Sequence, residues 1–374
     1  MSKFNELFLS FLFLFFINFT NYIEAKEETQ SYKQHSSYWD SVQDNLRVAL
    51  DISTRAAYNS NVDDMFYTQF IGVDLHKVFS SPQKGDWATV VLQLYATRID
   101  WPGSMKPFFF NRNHEWKFVP RITTINFTGI PGTQGSFNIK IGHFELPFGL
   151  ETQYDTNGTL HDYMHMSNLG AKVDWGFTIN GVCDKWEYET GLSRGSGIDF
   201  DSSGHPWLIT GRAGHSFNKV FQAGFSYLFG KVKNPPAASL YRSGLSAGQL
   251  LTDSRGLDGM VKRYRLGFDC IYGWKKWTFQ GELTCGEDFS QNVCNNLVEV
   301  NWQNGMSEWL FYSQVLNFNQ DFTSGWDSAF SSKLGAQWTP DNRWELSAQL
   351  EQQISNFFNA SRATIITVQG RARF

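Results

Sequence analysis

The residues best suited to chemistry in this chain are arginines and lysines that recur at every second position of otherwise apolar stretches. In residues 364–374, Arg371 and Arg373 alternate with Gly370, Ala372 and Phe374. Side chains alternate between the two faces of a strand, so this spacing gathers cations on one face, where they attract anions. The basic residues assigned to this face, here called the polar face, are Arg47, Arg55, Lys140, Lys172, Arg212, Arg263, Arg265, Lys333, Arg343, Arg371 and Arg373.

Acidic residues occupy the polar face nearly as often, so the face as a whole is close to neutral. The acids assigned to it are Asp51, Asp74, Asp174, Glu187, Glu189, Asp269, Glu282, Glu299, Glu345 and Glu351. Two interpretations stay open. The charges either form opposed walls of opposite sign, which would create a transverse field, or they pair with one another and stabilise the sheet.

A polar segment at 149–170 carries a second group of reactive side chains. Its ionisable members are Glu151, Asp155, His161, Asp162 and His165. The segment follows a sharp Pro-Phe-Gly corner, and a loop of this length can fold into a lumen and narrow it. The two histidines, with methionines at 164 and 166, could suggest a soft-metal site. Loop histidines without fixed spacing are usually solvated, so we predict no metal and no cofactor.

The segments that carry these residues are predicted to be strands. In these segments apolar and polar residues alternate with a period of two, and residues typical of turns lie between the segments. This period excludes amphipathic helices, in which the pattern repeats every 3.6 residues. The sixteen predicted strands are 45–58, 65–79, 86–100, 115–130, 135–148, 171–183, 186–194, 206–217, 220–231, 261–274, 277–287, 295–303, 308–319, 328–339, 343–355 and 363–374.

The connections between these segments alternate in length. Links after even-numbered strands are short, whereas several links after odd-numbered strands are long, notably 101–114, 149–170, 195–205 and 232–260. Short turns on one rim and long loops on the other are typical of outer-membrane barrels. We therefore predict an all-β, 16-stranded antiparallel transmembrane β-barrel over residues 45–374. In such a barrel Arg47, Arg55, Arg371 and Arg373 would share one stretch of wall, away from Glu282 and Glu299.

The N-terminus and the composition agree with export to that membrane. Lys3 precedes an apolar run that is too short to span a bilayer, and Ala25 precedes a charged stretch, so 1–25 is predicted to be a signal peptide and 26–44 a short polar periplasmic segment. A mean hydropathy of −0.35 accompanies 17% aromatic residues, a combination expected of a barrel with a polar lumen and aromatic girdles. The net charge of −4 argues against a nucleic-acid partner.

Two further patterns concern cysteine and catalysis. Cys285 and Cys294 flank a polar stretch and could be bridged in an oxidising envelope, whereas no Cys-x-x-Cys-His haem site occurs. No histidine begins a His-Glu-x-x-His motif, and the glycine-rich stretch 193–197 is interpreted as a strand end rather than a catalytic elbow. We predict that the chain is not an enzyme.

Residues 135–200 resemble the phosphate-selective porin O and P family. The resemblance rests on 139–151, where a strand ends in a glycine, an aromatic residue and Pro-Phe-Gly-Leu-Glu, on the glycine-led strand at 169–176, and on 188–197, where Arg194 replaces the usual asparagine. The terminal Phe374 resembles the closing signal that the outer-membrane insertion machinery recognises. The resemblance implies a homotrimeric diffusion channel with an inward-folded third loop, in which stacked arginines and lysines select phosphate.

Three hypotheses follow. The first is a porin in the bacterial outer membrane that lets small hydrophilic solutes or ions diffuse passively, including anions such as phosphate. The second is a barrel that sheathes a periplasmic multihaem cytochrome and conducts electrons through that partner. The third is an outer-membrane enzyme, for which the motifs are weakest.

Overall fold

The computed structural model describes residues 45–374 except 62, 82–84, 101–114, 131, 134, 151–158, 163–167, 170, 198–203, 217–219, 234–259, 289, 306–307, 323 and 357–361. The predicted signal peptide and the segment 26–44 lie outside the described residues. Sixteen strands occupy the described part: β1 (Leu46–Asn59), β2 (Asp64–Ser81), β3 (Gly85–Asp100), β4 (Trp116–Phe127), β5 (Asn138–Glu145), β6 (Val173–Cys183), β7 (Trp186–Ser193), β8 (Trp207–Ser216), β9 (Phe221–Lys233), β10 (Met260–Trp274), β11 (Trp277–Asp288), β12 (Gln291–Gln303), β13 (Trp309–Phe322), β14 (Gly325–Trp338), β15 (Trp344–Ser355) and β16 (Thr364–Arg373).

The strands form one closed antiparallel barrel. Each strand pairs with its neighbours in the chain, and β1 pairs with β16 so that Asp51 lies opposite Arg373 and Asn59 opposite Ile365. Closure leaves no strand edge unpaired, which is the condition for a sheet to cross a bilayer. The predicted 16-stranded antiparallel β-barrel is confirmed.

Alternation along each strand separates an outward apolar face from an inward polar one. On β10, Leu266 and Phe268 are about half exposed on the outside, at 53% and 51%, while Arg263 and Arg265 are buried on the inside. The same alternation on β15 exposes Trp344, Leu346 and Leu350 and buries Gln349 and Glu351. In water such an outer surface would be an aggregation hazard, whereas in lipid it is the expected wall.

An apolar outer wall on a closed barrel of this size places the chain in a bacterial outer membrane, as predicted. Rings of aromatic side chains mark its margins. Along the rim of the tight turns, Trp309 stacks on Trp338 with ring centroids 5.9 Å apart, and Trp344 meets Phe374 edge to face at 5.9 Å. None of the described residues belongs to a helix long and apolar enough to span a bilayer.

Two differences in strand bounds and one irregularity within a strand have identifiable physical reasons. β5 ends at Glu145 rather than 148, because the chain leaves the sheet at the Pro147 corner. β12 begins at Gln291, not 295, since a tight hairpin continues the pairing to Asp288. In β4, the phase slip around Pro120 is a bulge, where Leu92 and Leu94 of β3 pair with Thr123 and Pro120.

Candidate functional site

The third loop, between β5 and β6, lies against the inner face of the barrel where it is described. Its first residues, Leu146, Phe148 and Leu150, are completely buried. Leu146 and Phe148 pack with Leu208 of β8 and Leu228 of β9 in one apolar cluster. The Pro-Phe-Gly corner therefore directs the chain inward, because the apolar side chains that follow β5 find their partners inside the wall.

Gly149 fixes the turn of this loop. Its φ of +61° is a left-handed conformation that glycine adopts without strain. The Gly149 amide donates to Ser226 Oγ of β9 at 2.9 Å, and the Leu150 amide donates to Glu282 Oε2 of β11 at 2.9 Å. A Cβ on Gly149 would collide with the Glu282 carboxylate. The close approach of backbone and carboxylate thus requires glycine.

The end of the loop is attached through Asn168. This buried side chain donates to Glu282 Oε1 at 2.9 Å and to Thr284 Oγ1 at 3.1 Å, and it accepts from Asn295 Nδ2 at 3.0 Å. The Asn168 carbonyl accepts from Arg263 Nη1 at 3.3 Å. Glu282 consequently accepts hydrogen bonds from both ends of the loop. Hydrogen bonds to a carboxylate are among the stronger ones, so this residue is a main attachment point of the loop.

The middle of the loop contacts the opposite side of the barrel, at β12 and β13, through His161. Its ring stacks on Tyr312 of β13 with centroids 3.7 Å apart, and its Nδ1 lies 3.1 Å from Glu299 Oε1 of β12. Glu299 is completely buried and also accepts from Gln280, Asn301 and Gln314. His161 is therefore held by both a ring contact and a fully hydrogen-bonded carboxylate.

Asp162 and Thr159 extend this attachment to β14 and β1. The Asp162 amide donates to Gln314 Oε1 at 3.1 Å, and its carboxylate pairs with Lys333. The Thr159 carbonyl accepts from Arg55 Nη2 at 2.9 Å. Because β1 and β9 to β14 all contribute partners, the described loop residues span the interior from one side to the other.

The predicted basic residues mostly lie in ion pairs on the inner face. In most of these pairs the charged groups lie close enough for direct hydrogen bonds. The pairs are Arg371–Asp51 at 2.6 Å, Arg373–Asp74 at 3.0 Å, Lys140–Glu189 at 2.8 Å, Arg212–Asp269 at 2.6 Å, Arg263–Asp288 at 2.8 Å, Arg265–Asp288 at 2.9 Å, Lys333–Glu351 at 2.8 Å and Lys172–Glu145 at 3.6 Å.

The stretch of wall where β1 meets β16 is less basic than expected. Arg55 donates to Gln369 at 2.7 Å, and Asp51 lies between Arg371 and Arg373. Arg47 is exposed at the start of β1, before the residues that pair with β16. Arg343 is also exposed, just before β15. Glu282 and Glu299, expected on an opposing acidic wall, bind the third loop instead. Of the two interpretations of the charges, the paired one describes this geometry.

The sequence patterns did not predict several contacts on the inner face. Arg121 donates to Gln93 and Glu145, each at 3.0 Å, but its strand changes phase at the Pro120 bulge. Asp288, which pairs with two arginines, falls just past the predicted end of β11. Tyr312 faces inward although aromatic residues on these strands usually face lipid. Longer strand bounds would have found Asp288; no sequence signal identifies the other two.

Three of the predicted loop residues, Glu151, Asp155 and His165, lie outside the described residues. The described residues contain no cluster of His, Cys, Asp and Glu suited to a metal ion. Cys285 and Cys294 are joined by a disulfide bond across the β11–β12 hairpin, where they are direct register partners.

Comparisons with known proteins bear on the fold alone. No family model matches the sequence, and no curated protein matches it. Among solved structures, a loop L8 deletion mutant of OmpT, an outer membrane protein of Vibrio cholerae, has a TM-score of 0.61 and 9% identity over 88% of this chain and 99% of that one. The fold is that of an outer-membrane porin-type barrel.

Two further structures support the same conclusion. The anion-selective porin from Comamonas acidovorans has a TM-score of 0.58 and 13% identity over 88% of this chain and 99% of that one. Pseudomonas putida OprB has a TM-score of 0.61 and 11% identity over 88% and 94%. At such identities only the barrel is shared, so the resemblance of residues 135–200 to the phosphate-selective family stays a prediction.

Proposed function

We propose that the protein is a porin through which small hydrophilic solutes diffuse passively across the outer membrane. Barrels of sixteen strands enclose an aqueous channel, and side chains alone do not fill them. The observation that carries the proposal is the third loop, whose described residues are attached to β1 and to β9 through β14 across the interior. In this proposal the loop narrows the channel and sets the size of the solute.

We further propose that the channel discriminates weakly between anions and cations. Selectivity depends on uncompensated charge in the narrowest section. The pairing of Arg371, Arg212, Lys140 and Lys333 with carboxylates supports a polar but nearly neutral lumen. A phosphate-selective channel would need a run of cations free to meet the solute, and phosphate is therefore one of the solutes to test rather than the expected specificity.

Planar bilayer recordings test both statements. The refolded barrel should give ohmic channels with a small reversal potential in a KCl gradient, and deletion of 150–168 should raise the single-channel conductance. Absence of conductance from a correctly folded barrel would contradict the porin proposal. A large anion-selective reversal potential that phosphate reduces would instead favour the phosphate channel.

Replacing one loop contact gives a sharper test. His161→Ala removes the stacking on Tyr312 and the contact with Glu299, together roughly 2–4 kcal/mol of loop anchoring. We expect more frequent current fluctuations and a higher mean conductance. His215→Ala is the matched control, because His215 also stacks on an aromatic ring, that of Trp186, but at the rim of the tight turns. Equal traces from the two variants would count against the anchoring role.

The other hypotheses make separable predictions. A barrel that sheathes a multihaem cytochrome needs an open interior, and the loop contacts across the barrel disfavour this hypothesis. Copurification of stoichiometric haem with the barrel would support it. An enzyme would hydrolyse lipid or peptide in purified form. The homotrimer implied by the family resemblance is proposed on that ground only, and native mass spectrometry of the barrel in detergent tests it.

A further inference from the structure

Aromatic side chains surround a recess on the outward face of β11 to β13, near the rim of the tight turns. The recess has a volume of about 420 Å³ and is lined by Trp277, Val300, Trp302, Phe311, Ser313 and, between the last two, Tyr312. Trp277 pairs in register with Trp302, which pairs with Phe311, so the three rings form a row. Ser313 lies opposite Val300 and leaves a gap because its side chain is short.

Two adjacent lysines border this recess. Lys275 and Lys276 form the two-residue turn between β10 and β11. Lys275 Nζ lies 5.0 Å from the centroid of the Trp274 ring, and Lys276 Nζ lies 5.9 Å from that of Trp302. Among the described residues neither ammonium group is within ion-pair distance of a carboxylate. The turn therefore presents two positive charges directly beside an apolar recess.

The equivalent turn between β6 and β7 differs in charge. There Asp184 precedes Lys185, so the acid offsets the lysine. Trp186, the next residue, stacks on His215. A lysine at the rim of the barrel is thus not unusual; the combination of two lysines and an aromatic recess distinguishes the β10–β11 turn.

We propose that this recess binds an anionic glycerophospholipid of the membrane leaflet at the tight-turn rim. One acyl chain would lie against Trp302, Phe311 and Ser313, and the headgroup phosphate would lie between Lys275 and Lys276. Indole rings favour the boundary between hydrocarbon and headgroups, and basic residues beside them attract anionic lipid. Each lysine is expected to contribute about fivefold to the affinity, and the pair about 30-fold.

Native mass spectrometry of the refolded full barrel in detergent, with equal amounts of phosphatidylglycerol and phosphatidylcholine, tests the proposal. The wild-type protein should retain phosphatidylglycerol selectively. Lys275→Gln with Lys276→Gln should weaken that retention about 30-fold. Lys185→Gln, in the two-residue turn between β6 and β7, should leave it unchanged.

A second pair of variants tests the recess itself. Ser313→Phe fills the recess and should reduce retention, whereas Ser332→Phe makes the same change on the outward face of β14, opposite Val315, and should not. Equal retention of the two lipids by the wild type, or undiminished phosphatidylglycerol binding by the double lysine variant, would overturn the proposal. Conductance should be unchanged in all these variants, so a failure here is distinct from a failure of the porin function.

Discussion

Arg371 donates to both oxygens of Asp51, at 2.8 and 2.6 Å, and Asp51 is completely buried. The Tyr95 hydroxyl lies within hydrogen-bond distance of both Asp51 and Asp74, at 3.2 and 2.9 Å, and can donate its one proton to either carboxylate. Each charge on this part of the inner wall therefore has a neighbour that compensates it. Removing one partner of such a pair leaves the other charge uncompensated, which costs more than removing both.

Arg371→Gln should consequently make the channel more cation-selective. Without the guanidinium, Asp51 would act as a fixed negative charge on the wall, and it would attract cations. The measurement is the reversal potential in a KCl gradient, compared with the wild type. The double variant Arg371→Gln with Asp51→Asn should return the potential to near the wild-type value, and a double variant as cation-selective as the single one would refute the pairing.

At the scale of elements, the third loop is attached mainly by carboxylates of β11 and β12. Glu282 binds the Leu150 amide and Asn168, and Glu299 binds His161. Two glycines have left-handed backbones, but only one of them contacts this attachment. Comparing alanine variants of the two therefore distinguishes the free-energy cost of backbone strain from the cost of losing the attachment. Gly149 faces Glu282, while Gly132, with φ of +83°, faces open space.

Gly149→Ala should therefore destabilise the protein more than Gly132→Ala. Both variants place an alanine in a left-handed conformation, at about 1–2 kcal/mol. Only Gly149→Ala also displaces the Glu282 carboxylate and its hydrogen bonds, for an additional loss of about 1–3 kcal/mol. Urea unfolding in detergent measures the difference, and Gly149→Ala should also raise the conductance. Equal unfolding midpoints would show that the contact with Glu282 contributes nothing.

Strands were predictable from the sequence because their alternation is a local property. On β10 and β15, residue spacing alone assigned Arg263 and Glu351 to the polar face, and both are buried on the inside of the barrel. Alternation gives the face of a residue but not its neighbour on another strand. The contact between His161 and Glu299 spans 138 positions, and no spacing rule connects them. The bulge at Pro120, which hid Arg121, is likewise a feature of pairing rather than of pattern.

At the scale of the whole molecule, the pairing of β1 with β16 that closes the barrel extends to Phe374. The Leu50 amide donates to the Phe374 carbonyl at 2.8 Å, and the Phe374 amide donates to the Leu50 carbonyl at 2.9 Å. The Phe374 ring contacts Trp344 at the same rim. The backbone of Phe374 thus extends the pairing of β1 with β16 without any help from its side chain, and the role of that side chain as an insertion signal stays a prediction.

Phe374→Ala should lower the amount of protein in the outer membrane but not its refolding in detergent. The backbone hydrogen bonds remain, and the lost ring pair is worth only about 0.5–1.5 kcal/mol. Trp344→Ala is the control, because it removes the same ring contact and leaves the terminal residue intact. Quantitative immunoblotting of outer-membrane fractions measures both. Equal levels of the two variants would argue against a signal in Phe374.

The attachments of the third loop also fix an order of events. The partner of the Leu150 amide, Glu282, lies 132 positions further along the chain, and the partner of Asp162, Lys333, lies 171 positions further. The loop can therefore reach these partners only when β5 and β11 to β14 already belong to one sheet. A barrel in which β14 is not yet paired holds a loop without its contact to Lys333, so the constriction is among the last parts of the protein to take its final form.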